Sequence, residues 1–128
     1  MSLSSRRLTL TVQACLLIPS LSFAGDALES DPSHHKLEFQ NDCVRVIRAF
    51  FNPGEKSDGL FDAKAVAVVS LTGAKGGRLL LPEGKFIDLP PRTPGETWWA
   101  PAGRIGVQNT SDAPFEYLVI EPQTGCEN

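Results

Sequence analysis

Apolar and polar residues alternate at the start of Val44–Phe51 (VRVIRAFF), the pattern of a strand with one buried face. Ala65–Leu71 (AVAVVSL) is instead a nearly unbroken β-branched run, as expected of a central strand covered on both sides. Arg78–Leu81 and Lys85–Leu89 flank Pro82-Glu83-Gly84 and predict a hairpin. Glu96–Trp99, Ile105–Asn109 and Phe115–Glu121 complete the set, separated by turn-rich segments such as APAG and TSDAP. No stretch holds a helical period. The pattern therefore predicts an all-β domain, a small sandwich or barrel of about seven to eight short strands.

Ahead of these strands the chain has another character. MSLSSRR is basic, LTLTVQACLLIPSL is apolar, and Ser22-Phe23-Ala24 places small residues where signal peptidase reads them. Residues 1–24 thus read as a secretory signal cut between Ala24 and Gly25, in preference to an uncleaved anchor or a lipoprotein cut before Cys15. The address is periplasmic or secreted, with no membrane attachment after cleavage. Residues 25–38, opening GDALESDPS, read as a flexible leader, and 39–128 as the folded domain.

Composition adds two points. Loss of Arg6 and Arg7 leaves 10 basic and 15 acidic residues, a formal charge of −5. Without a basic cluster, such a chain has no footprint for nucleic acid. Cys43 and Cys126 are the two cysteines that survive cleavage, and an even count in an exported chain predicts a disulfide. The two histidines, His34 and His35, are adjacent; in an extended chain they point to opposite faces, so they read as surface residues poorly placed to share one metal.

Three phrases, QNDCVRVIRAFFNPGEKS, GRLLLPEGKFIDL and TPGETWWAPAGRIGVQNTSDAPFEYLVIE, occur in the order of a small bacterial cupin. The chain from Phe39 to Glu121 resembles that family of RmlC-like jelly-roll barrels. The family's first motif, G-x5-H-x-H-x3-4-E-x6-G, matches from Gly54 to Gly73 in spacing, but its ligand positions hold Leu60, Asp62 and Val66. The second, G-x5-P-x-G-x2-H-x3-N, runs from Gly95 through Pro101 and Gly103 to Asn109 one residue short, so its histidine position falls on Ile105 or Gly106.

The resemblance implies a metal held by three imidazoles and a carboxylate. The residues present imply that this cofactor is absent, since a catalytic metal needs about three protein ligands. The expectation is a module that binds a small molecule or a protein; the alternative is a metal-independent isomerase or lyase, with a metal-dependent dioxygenase further off. A homodimer follows from the resemblance alone. Candidate ligand-binding residues are Asp62, Trp98, Trp99, Arg104 and Gln108. Alternation turns one tryptophan inward and the other outward, and Arg104, in a turn at the expected barrel mouth, suits an anion. Glu96 joins Asp62 and Arg104 as a candidate acid, base or anchor.

Overall fold

A computed structural model describes residues 25–126. The signal-peptide reading falls on residues 1–24 and lies outside them. A single helical turn, α1 (Ala27–Ser30), precedes nine strands: β1 (His35–Gln40), β2 (Val44–Phe51), β3 (Phe61–Ala63), β4 (Val66–Ser70), β5 (Gly77–Leu80), β6 (Phe86–Leu89), β7 (Thr97–Ala100), β8 (Gly103–Asn109) and β9 (Phe115–Pro122). They form a five-stranded sheet, β1-β2-β9-β4-β7, facing a four-stranded sheet, β3-β8-β5-β6. Every pairing is antiparallel.

Six of the seven expected strands occupy the expected runs within one residue at each end, and the seventh, at 105–109, extends back two residues to Gly103. β1 and β3 are the additions. β3 has only three residues and no period to read, and β1 lies largely in the segment expected as leader. That segment is ordered by contacts with the barrel. Asp26 caps α1 by accepting from Glu29 N–H at 3.1 Å, and Gly25 C=O accepts from Asp62 N–H at 3.1 Å.

The expected pairing of Cys43 with Cys126 is present, tying the residue before β2 to the tail after β9. The motif glycines have backbone reasons. Gly54, Gly73 and Gly95 all adopt positive φ, between 75° and 82°, which other residues rarely do. Asn109, fully buried, donates to the carbonyls of Phe51 (3.1 Å) and Ala113 (2.8 Å) and accepts from the Ser111 N–H. It thereby pins the β8–β9 turn to the end of β2.

A buried apolar cluster fills one region between the sheets. Ala49, Phe51, Phe61, Val107 and Phe115 form the core cluster there. Phe51 is fully enclosed, with the Phe115 ring 5.4 Å away and the His34 ring stacked on it at 4.4 Å. Beside this cluster the sheets enclose open space.

Candidate functional site

The space is a cavity of about 330 Å³ between the sheets, with walls from both. Register decides which side chains reach it, because directly paired antiparallel residues share a face. In the five-stranded sheet the inward set includes Ile47 and Val119 (paired with each other) and Val68 and Trp98 (likewise paired). The four-stranded sheet supplies Leu79, Ile105 and Val107, with Phe61 opposite Ile105. The lining is overwhelmingly apolar, and its size sits at the low end of the roughly 300–1,000 Å³ typical of ligand pockets.

Two polar ends bound this apolar wall. At one, Arg45 and Glu121 are cross-strand partners on the inward face of β2 and β9, joined at 3.0 Å. Asp26, from the segment before α1, reaches the same Arg45 nitrogen at 2.7 Å, and Lys64 stands 3.3 Å from the other oxygen of Glu121. Burial is the largest single influence on Asp26 and Glu121 and works to raise both carboxyls. The hydrogen bond and charge of Arg45, together with the Glu29 and Leu28 N–H groups (for Asp26) or with Gln123 and Lys64 (for Glu121), outweigh it, so both are held below the usual carboxylate range. With Ala27 also on the lining, residues 25–31 form a plug at this end. At the other end the Arg92 guanidinium lies 4.1 Å over the Trp98 ring and is paired with Glu96 at 2.9 Å.

The expected site residues separate across the wall. Trp98 faces inward, and Trp99, 60% exposed, faces outward. Asp62 and Arg104 are paired partners on the outer face of the four-stranded sheet, both exposed, with Asp62 reaching only the cavity rim. Gln108 is outward too, opposite Arg78. The barrel-mouth position expected of Arg104 is taken instead by Arg45. Glu96 accepts from the Thr93 N–H at 2.9 Å and from Arg92, which lower its carboxyl, and so it closes a turn.

Of the four positions matched to the family's ligands, Val66 and Ile105 line the cavity. Leu60 does not. It packs by Gly106 on the far side of β8, where an added Cβ would stand 3.3 Å from Leu60 Cδ2 and 2.7 Å from Ser57 Oγ. The inward pair on β3 is Phe61 and Ala63, one residue out of step with the motif count. The loop from Gly54 sets this register, because buried Ser57 accepts from Val107 N–H (3.0 Å) and donates to Gly59 C=O (3.0 Å). Phe61, Ala63, Val66 and Ile105 carry no ligand atom, so the residues at this position do not fit the family's metal.

The histidines are not surface residues. His35 turns inward from β1, its side chain 2% exposed, and His34 is held against Phe51 with 11% exposed. Burial lowers His35, with the Asp31 carbonyl and carboxylate only partly offsetting it. Burial also pulls on His34, but Asp31 and Glu55 overcome it and raise its pKa.

The outer face of the five-stranded sheet carries an apolar row across all five strands: Phe39, Val46, Ile120, Ala67 and Trp99, each paired with the next.

No protein-family model matches the chain, and no curated protein matches it in sequence. Its fold does have solved counterparts. A cupin domain from Bordetella pertussis Tohama I is 27% identical with a TM-score of 0.61, over 70% of this chain and 92% of that one. An RmlC-like cupin family protein with a double-stranded β-helix fold, from Methanocaldococcus jannaschii, is 12% identical with a TM-score of 0.52, over 70% and 78%. The polyketide cyclase RemF from Streptomyces resistomycificus is 19% identical with a TM-score of 0.50, over 69% and 63%. Two facing antiparallel sheets, the motif glycines in left-handed turns and these likenesses agree. The chain is a small cupin-fold protein.

Proposed function

We propose that this protein is an exported, metal-independent cupin that binds a small apolar molecule inside its barrel. The observation that carries the reading is the cavity of about 330 Å³, walled by Phe61, Val68, Trp98, Ile105 and Val107. An apolar pocket of about 150 Å³ accommodates a benzene, so the space suits a ligand about two rings in size. The absence of His, Cys, Asp and Glu from the inward residues of β3, β4 and β8 supports the metal-free part of the reading. The disulfide supports export, and the mass of the exported chain should correspond to a start at Gly25.

Calorimetry and thermal shift with tetralin and related bicyclic compounds test the binding. One molecule should bind per chain and raise Tm, and Val68→Phe should abolish the effect by occupying the space. Failure of every two-ring apolar probe to bind would sink the proposal. A second reading, metal-independent acid–base chemistry, draws on the Arg45–Glu121 pair at the cavity end and not on Glu96 or Arg104. It requires turnover that Glu121→Gln removes while the fold survives. The homodimer proposed from the resemblance would use the row from Phe39 to Trp99.

A further inference from the structure

Outside the barrel, the end of the plug meets the loop between β2 and β3. Asp31, His34 and Asp58 there each bring one ligand atom within 4.8 Å of the others. Asp31 Oδ1 is 2.9 Å from His34 Nδ1 and accepts the Asp58 N–H at 3.0 Å. Two donors sharing a metal at roughly 2.1 Å stand about 3.0–3.4 Å apart, so the first spacing is close to that of ligands to one ion. The Ser33 hydroxyl lies 3.2 Å from the same imidazole nitrogen and 3.4 Å from Asp58 Oδ2.

Two features go beyond proximity. Asp31 is fully buried and its Oδ2 has no hydrogen-bond partner; it lies 3.1 Å from His35 Nδ1, which engages the Asp31 backbone carbonyl. The second feature is His34 itself. Its Nε2 is 2.9 Å from Glu55 Oε2, so each ring nitrogen faces a carboxylate. A neutral imidazole has one donor and one acceptor nitrogen, and would turn a lone pair on one of them. A cation on the Nδ1 side resolves this, with Nε2–H donated to Glu55, the carboxylate–histidine–metal arrangement that fixes ring and tautomer. Stacking on Phe51 already holds the ring in place.

We propose that Asp31, His34 and Asp58 bind a first-row divalent cation, with Glu55 orienting the imidazole, and that the ion fastens the plug to the loop before β3. An imidazole with a single nitrogen donor and two carboxylates suits zinc or manganese better than magnesium. The site shares no residue with the barrel wall, so it stands or falls independently of the ligand proposed there.

The test uses the full mature chain, stripped with a chelator and dialysed, titrated with Zn²⁺ at neutral pH by calorimetry and thermal unfolding, with Mg²⁺ as control. One zinc should bind per chain, and at a hundredfold excess over Kd the Tm should rise by roughly 10 °C. Asp58→Asn, an exposed position that leaves the fold intact, should weaken zinc at least tenfold, and Glu55→Gln by roughly 10–100-fold. No zinc-dependent shift, or an equal shift in Asp58→Asn, overturns the proposal. So does nitrogen NMR showing both His34 ring nitrogens protonated in the presence of zinc, which would assign the site to a proton alone.

Discussion

Val68→Phe separates a hollow barrel from a packed one by the sign of a stability change. Val68 lies on central strand β4, 5% exposed, facing the cavity between Trp98 and Val119 on the neighbouring strands. Phenylalanine is as good a strand former as valine, so the backbone contributes little. Into open space, the added ring removes apolar surface from solvent, a gain of about 1 kcal/mol at roughly 25 cal/mol per Å². Into a well-packed core the same ring forces neighbours off their rotamers and costs about 1–3 kcal/mol. Urea unfolding resolves the two, because slopes of about 1–3 kcal/mol per M turn them into midpoint shifts of about 0.5 M upward or 1 M downward. A midpoint lowered by more than about 0.5 M would refute the hollow barrel and the binding proposal with it.

Three further outcomes follow from the geometry. Cys43→Ser with Cys126→Ser removes a cross-link spanning 83 residues, which the chain-entropy relation values at about 4.5 kcal/mol; matched denaturation of wild type with and without reductant should show the same loss. Asn109→Ala leaves two carbonyls and the Ser111 N–H without their buried partner, and should cost about 2–4 kcal/mol in urea unfolding. With chelator present, stability should peak near pH 6.5, the unfolded pKa of both histidines. His34, raised in the fold, contributes fully below that pH and loses its contribution as pH climbs through its folded pKa; His35, lowered, contributes above it and loses it as pH falls. His34→Gln should flatten only the alkaline limb, and His35→Gln only the acid limb.

Most strands were legible because period-two alternation survives in β2 and a continuous apolar run in β4. The same parity separated Trp98 from Trp99. The Arg45–Glu121 end of the cavity was obscured by charge: both residues look solvent-directed, yet their parity with Ile47 and Val119 turns them inward. Strict alternation along VRVIRAFF would have found Arg45. The one-residue slip at Leu60 had no sequence signal, since motif spacing presumes a loop that the Ser57 hydrogen bonds redraw. Nor could the histidine environment be read, because Asp31, Glu55 and Phe51 converge on it only once β1 has paired with β2.

The position of the disulfide has one more consequence. Every strand from β2 to β9 lies between Cys43 and Cys126, within a single covalent ring, whereas α1 and β1 lie outside it. A protease that cuts an exposed loop, at Lys75 or Lys85 for example, opens that ring without dividing the molecule. Among the described residues, the portion that one cut can shed is the N-terminal arm carrying Asp26, Asp31 and His34, the part that covers the end of the barrel.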